Sequence, residues 1–135
     1  MKKILILGGT GFVGRHLCEK LTQLQWRVTV PTRKIASARD IQMLPSLDVV
    51  ETSVHDEAAL TQLVAGHDAV VNLIAILHGN QQAFDKAHVE LPQKLARACV
   101  AAGVQRVIHI SALGADARNP DGAPSMYLRS KGHGE

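Results

Sequence analysis

Tyr127 and Lys131 stand four residues apart in the stretch PSMYLRSKGHGE. That separation brings two side chains onto one face of a helix. A phenol held beside an ammonium on such a face is a pair able to pass a proton to or from a reacting group. The spacing alone is a weak motif and is compatible with coincidence, so its meaning depends on the elements that would position it.

A second constellation lies at the start of the chain. In LILGGTGFVGRHL, Gly8, Gly11 and Gly14 form G-x-x-G-x-x-G directly after a strand-like run and at the opening of a helical pattern. Gly8 suits the tight turn, Gly11 the close approach of a pyrophosphate, and Gly14 the packing of helix on strand. The amides around Phe12 and Val13, together with the helix dipole, favour an anion there, and Thr10 is placed to cap or orient the turn. A glycine triplet in this βαβ context predicts a nucleotide site.

The choice between dinucleotides rests on the end of the second strand. A carboxylate there accepts from the ribose hydroxyl of NAD(H), but no Asp or Glu occurs between Glu19 and Asp40. The position carries Arg33 and Lys34. A guanidinium would bind a 2′-phosphate through charge-assisted bonds, which favours NADP(H) over NAD(H). The alternative is that Arg33 and Lys34 are solvated loop charges.

The elements that must carry these groups are legible in the hydrophobic pattern. KILIL (3–7), WRVTV (26–30), DVVE (48–51), DAVVNLIA (68–75) and RVIHIS (106–111) are short, nearly continuous apolar runs, as expected of strands covered on both faces. Helical stripes intervene: Val13, Leu17, Leu21 and Leu24; Leu60, Leu63 and Val64 before Gly66; and Leu91, Leu95, Cys99 and Ala102 before Gly103. The reading is β-α-β-α-β-α-β-α-β followed by a helix from Pro124. This is an α/β chain with a Rossmann-type doubly wound parallel sheet, order 3-2-1-4-5, right-handed crossovers and one domain over residues 1–135. The long loop ALGADARNPDGAP lies at the carboxyl ends of the strands, where such sheets bind ligands.

Composition narrows the function classes. The 135 residues are 46% hydrophobic and 20% charged with a formal charge of +3, ordinary values for a globular chain. Basic residues are scattered and only Phe12, Trp26, Phe84 and Tyr127 are aromatic, so nucleic acid is not an expected partner. The longest apolar stretch is too short to span a bilayer, and a strand-like run follows Met1 at once, so a cytoplasmic location is expected. Cys18 and Cys99 read as buried, reduced thiols. His16, His55, His67, His78, His109 and His133 lack the spacing of a metal cluster, and packing or surface roles are expected for them. No nucleophile elbow or Walker sequence is present.

GGTGFVG after the first strand, NLIA at the end of the fourth and YLRSK after the fifth occur in an order that resembles the short-chain dehydrogenase/reductase superfamily, in its extended and atypical, NAD-dependent epimerase/dehydratase-like branches. The combination HVELP, HISALGA and SMYLRSK is most similar to bacterial relatives of the nucleotide-binding accessory subunit of respiratory complex I. The resemblance implies that Tyr127 is the general acid/base. Lys131 would lower the pKa of the phenol, ordinarily about 10, and bond to the nicotinamide ribose. It also implies that Leu73, Ile74 and Ala75 line the cofactor, and that Ser53 and Val54 flank the adenine, with Ser53 standing where relatives carry Asp.

Two departures qualify that implication. The superfamily's substrate-polarising hydroxyl is the second of a Ser-Ser or Ser-Thr pair, and here the pair reads Ser111-Ala112; Ser111 serves only if the role shifts by one residue. In the superfamily an Asn near His88 uses its backbone carbonyl to hold a relay water. The resemblance gives His88 that part with its side chain left free, while the alternative is that Pro92 merely kinks or starts a helix. Relatives continue into a substrate lobe, so the expectation is a Rossmann domain truncated after the fifth strand and the start of the next helix. Its substrate would be an unknown small molecule. It is either part of a longer protein or a homodimer paired through the fifth-strand edge. The functional expectation is an NADP(H)-preferring dehydrogenase/epimerase-like protein with latent chemistry, the alternative being a non-catalytic accessory or assembly module.

Overall fold

The computed structural model describes residues 2–135. Five strands, β1 (Lys3–Leu7), β2 (Arg27–Thr32), β3 (Leu47–Glu51), β4 (Ala69–Asn72) and β5 (Val107–His109), form one sheet in the order β3-β2-β1-β4-β5. Every pairing is parallel, with Ile4 opposite Val28 on one side of β1 and Ile6 opposite Val71 on the other. The helices are α1 (Phe12–Gln23), α2 (Glu57–Val64), α3 (Gln81–Asp85), α4 (Leu91–Ala102) and α5 (Met126–Gly134). A π-helical turn, Lys86–Glu90, joins α3 to α4. This is the doubly wound parallel fold expected from the alternating apolar runs.

Alternation along β1 divides the core. Ile4 and Ile6 face α1 and the β2–β3 connection, packing with Cys18, Val28, Val30, Ala38 and Ile41. Leu5 and Leu7 face the other way, into Leu60, Val64, Leu91, Leu95 and Cys99 of α2 and α4. Helix ends follow their local chemistry. Asp56 caps α2 by accepting from the amides of Ala58 and Ala59, Gly103 ends α4 at φ +75°, and Ser125 caps α5 by accepting from Leu128 at 3.1 Å.

Three expectations about elements are corrected. The β2–β3 crossover holds a 3₁₀ turn, Ile35–Ala38, and no α-helix; Ala38 and Ile41 of this short connection are buried and cover the sheet where a helix was expected. The inner face of α1 is Gly14, Cys18 and Thr22; Leu17 and Leu21 of the expected stripe pack on the core beside it, whereas Val13 and Leu24 at the stripe's ends are exposed. β4 ends at Asn72 and β5 at His109; the residues beyond them, Leu73–Ala75 and Ile110–Ser111, are loops. Among the described residues no helix is long and apolar enough to cross a membrane.

Candidate functional site

The glycine loop is built on overlaps that only glycine avoids. Gly8 has φ +84°, and a Cβ there would stand 3.0 Å from the Ile74 amide nitrogen, so β1 can turn against the end of β4. A Cβ at Gly14 would penetrate the Gly8 carbonyl and the Gly9 backbone, which is how α1 packs onto the loop. Gly9, which the triplet reading passed over, is as constrained: its Cβ would press on both methyls of Val30 at 2.9 Å. Gly11, the N-cap of α1, has no such crowding; its nearest neighbour would be the Gly8 carbonyl at 3.5 Å.

No side chain caps α1 and no acidic residue occupies its first turn. Its leading amides, those of Phe12, Val13 and Gly14, therefore keep their donors for an anion. Thr10 makes no cap bond, contrary to the expectation, because Gly11 takes the N-cap position; Thr10 lines the groove instead. The side chains of Phe12 and Val13 point to solvent, Phe12 resting edge-on against His16, so only their backbones face the loop's business.

A groove of about 640 Å³ runs from this loop across the carboxyl ends of β1, β2, β3 and β4. Of the residues expected from the sequence, Gly8, Thr10, Arg33, Lys34, Val54, Ile74 and Ala75 line it. Pro31, Thr32, Ser37, Thr52, His55, Ile76 and Ala87 also line it and were not anticipated; Pro31, Thr32, Thr52, His55 and Ile76 lie at or near predicted strand ends, while Ser37 and Ala87 carried no sequence signal. No Asp or Glu is among the lining residues. The Lys34 backbone is fixed by Thr32, whose Oγ1 donates to the Lys34 carbonyl at 3.0 Å, while both cationic side chains are exposed and in no ion pair among the described residues.

Of the expected cofactor residues, Gly11, Phe12, Val13, Gly14, Ser53, Leu73 and Lys131 are not among the groove lining. Ser53 is exposed and accepts from the His55 amide at 3.3 Å, its hydroxyl spent on a local turn. Leu73 packs against the core and presents its backbone to Gly8. His55, expected to play a surface or packing role, lies in the groove wall. Lys94 Nζ donates to its carbonyl at 2.9 Å. Burial, with Lys86, Lys94 and Arg33 nearby, lowers its pKa, so the ring is neutral at pH 7.

The Tyr127–Lys131 pair lies outside the groove lining. Tyr127 and Lys131 are both on α5, as the four-residue spacing predicts. Lys131 is buried, 2% exposed, and its Nζ donates to the Ile110 carbonyl at 2.9 Å. Burial depresses its pKa, with Glu135 acting in the opposite sense. The Tyr127 ring stands edge-on to His88 and Phe84, with centroids 5.4 and 6.4 Å apart. Ser111 Oγ is buried without a hydrogen-bond partner, the only hydroxyl available at the Ser111-Ala112 step. His109 receives a bond at Nδ1 from Asn72 Nδ2 at 3.2 Å, and Asn72 Oδ1 accepts from the Ile74 amide at 3.2 Å.

Gly132 and Gly134, which read as weak points of α5, are contact glycines. A Cβ on Gly132 would meet the Asp116 backbone, and one on Gly134 would overlap the His88 carbonyl. Nor is the His88 side chain free, as the resemblance implied. It is 1% exposed and hydrogen-bonded at both nitrogens, to Ile76 and Ser130, because the π-helical turn rotates it inward ahead of Pro92.

Comparison with known proteins agrees with this geometry. A family model described as NAD(P)H-binding matches residues 8–133. The mouse mitochondrial NADH dehydrogenase [ubiquinone] 1 alpha subcomplex subunit 9 is 31% identical over 96% of this chain and 35% of its own length. A double mutant of the dTDP-glucose 4,6-dehydratase of Streptomyces venezuelae, solved with NAD, superposes with a TM-score of 0.79 at 26% identity over 97% of this chain and 48% of that one. The UDP-Glc/GlcNAc 4-epimerase of Campylobacter jejuni shares the fold with a TM-score of 0.83 at 20% identity, over 99% of this chain and 47% of that one. The chain thus spans about a third of the curated relative and about half of the solved structures. Glycine loop, strand order and matched residues together lead to one conclusion: the chain belongs to the NAD(P)H-binding family.

Proposed function

We propose that the groove takes NADP(H) in preference to NAD(H), and that this is a dehydrogenase/epimerase-like nucleotide-binding unit whose redox chemistry is latent. The observation that carries the reading is the rim of the groove: Arg33 and Lys34 stand free at the end of β2, and no carboxylate lines it. A 2′-phosphate would meet charge there, and a ribose diol would lack its usual acceptor. The uncapped first turn of α1 suits the pyrophosphate. Ile74 and Ala75 would line the cofactor, Val54 and Ser53 would flank the adenine, and Lys131 would turn from the Ile110 carbonyl toward a ribose hydroxyl.

A bound nicotinamide supplies hydride transfer. Around it, Tyr127 would donate or accept the proton, Lys131 would favour its phenolate, and Ser111, whose hydroxyl is buried without a partner, would polarise a small-molecule carbonyl. The test is equilibrium titration with NADPH and NADH. Tighter binding of NADPH is expected, and tighter binding of NADH would refute the preference.

A second reading is a non-catalytic accessory or assembly module, in keeping with the mouse relative, a subunit of the NADH dehydrogenase [ubiquinone] 1 alpha subcomplex. It is favoured by Ala112 at the family's hydroxyl position and by the Lys131 ammonium being spent on a backbone carbonyl. Binding of NADPH with no turnover of any carbonyl substrate would favour this module.

A further inference from the structure

His88 is buried and hydrogen-bonded at both ring nitrogens, and nothing in hydride or proton transfer uses its side chain. It lies on the π-helical turn with 1% of its surface exposed. Its Nε2 lies 3.0 Å from the amide nitrogen of Ile76, a groove-wall residue. A backbone N–H can only donate, so Nε2 must be the unprotonated nitrogen of the neutral ring. The proton is then on Nδ1, which lies 2.8 Å from Ser130 Oγ. Ser130 is fully buried and has its own hydroxyl proton available for the Tyr127 carbonyl, 3.0 Å away.

The bonds therefore run in one direction, from the Ile76 amide to His88, from His88 to Ser130, and from Ser130 to the backbone of Tyr127. The ring is clamped between Phe84 and Tyr127, with centroids 5.6 and 5.4 Å away. A Cβ at Gly134 would overlap the His88 carbonyl, so α5 packs closely on this turn. The charged and titratable groups near it are Lys131 from α5 and His109 from β5. Both oppose protonation, as does burial.

We propose that His88 is a positioning residue, held in the Nδ1–H tautomer, that ties the groove wall at Ile76 to the Tyr127–Lys131 helix through Ser130. Wall and helix are 51 positions apart in sequence, 76 to 127, and this chain of bonds sets their register. A group seated against Ile76 thereby finds Tyr127 at a defined place. The last point rests on the reading of the groove as a dinucleotide site; the tether itself does not.

Three measurements on the full chain test it. Long-range ¹H–¹⁵N correlation of the histidine rings at pH 7 should show His88 as the Nδ1–H tautomer; an Nε2–H ring overturns the proposal. Ser130→Ala, a small change that removes the second and third links and leaves the Ile76–His88 bond its partners, should shift the Ile76 amide resonance although Ser130 does not touch Ile76, and should also shift the single tyrosine's ring resonances. An unmoved Ile76 amide overturns it. His88→Asn keeps a donor for Ser130 and loses the acceptor for Ile76, and His88→Gln does the reverse. Each should move one end of the chain more than the other, and identical effects at both ends would count against a directed tether.

The Ser130→Ala variant should bind NADPH about tenfold more weakly, the effect of one buried hydrogen bond left unmade. Affinity equal to that of the unaltered chain refutes the link between tether and groove. Failure of the unaltered chain to bind either dinucleotide refutes the proposed function instead, while the tautomer and the Ile76 resonance still decide the tether.

Discussion

At the residue scale, the groove rim and the α5 pair make separable demands. Arg33 is exposed and in no ion pair among the described residues, so removing it costs little stability and acts on ligand charge alone. Arg33→Ala should weaken NADPH by roughly ten- to a hundredfold, as expected for losing charge-assisted bonds to a phosphate, and leave NADH nearly unchanged. Parallel titrations of the two cofactors read this directly. Tyr127→Phe should preserve NADPH affinity, because the ring's packing on Phe84 and His88 needs no hydroxyl. It should abolish any carbonyl reduction seen by NADPH absorbance.

His88 also sets a pH dependence. Burial first, and then Lys131 and His109, lower its pKa from 6.5 to about 4. The unfolded chain therefore takes up a proton near pH 6.5 that the native ring refuses until about pH 4. The unfolded state holds more protons in that window, so stability is full above pH 6.5 and is lost as pH falls toward 4. The slope from this group is at most about 1.4 kcal/mol per pH unit. His55 and His109, lowered chiefly by burial, act in the same direction. Urea midpoints at pH 7.5 and 5.0 should show the loss, and His88→Gln should reduce it.

At the element scale, the approach of α1 to β1 limits the site more than any side chain does. Gly14 touches the Gly8 carbonyl and the Gly9 backbone, neither of which can move without disturbing the turn. Gly14→Ala should therefore cost about 1–3 kcal/mol, as overpacking does, and weaken both dinucleotides alike by shifting the leading amides of α1. Thermal unfolding and cofactor titration check the two parts. The glycine motif announced this loop because each spacing answers a backbone constraint that acts within a few residues. The 3₁₀ turn between β2 and β3 was not legible: its sequence, IASA, has the composition of a helix, and what selected the shorter form was the space over Val28 and Val30 that Ala38 and Ile41 fill.

At the scale of the whole molecule, β5 forms one edge of the sheet, and Val107, Ile108 and Ile110 are each more than 40% exposed. An edge of buried character invites pairing. Concentration-dependent association in multi-angle light scattering is expected, with Ile108→Lys holding the chain monomeric; a monomer at high concentration for both forms would refute pairing through this edge.

The sequence by itself determined the alternation of strands and helices, the glycine loop and the placing of Tyr127 and Lys131 on one helix face. All three follow from short-range rules: the period of apolar residues, the φ that Gly8 needs, and the pitch of an α-helix. Tertiary structure alone decided that His55, Ile76 and Ala87 share a wall with Arg33, that Ser53 does not, and that His88 joins Ile76 to Ser130. Those contacts link residues up to 54 positions apart, from 33 to 87. They depend on how the carboxyl ends of four strands and a π-helical turn converge, and no local pattern of residue types encodes that convergence.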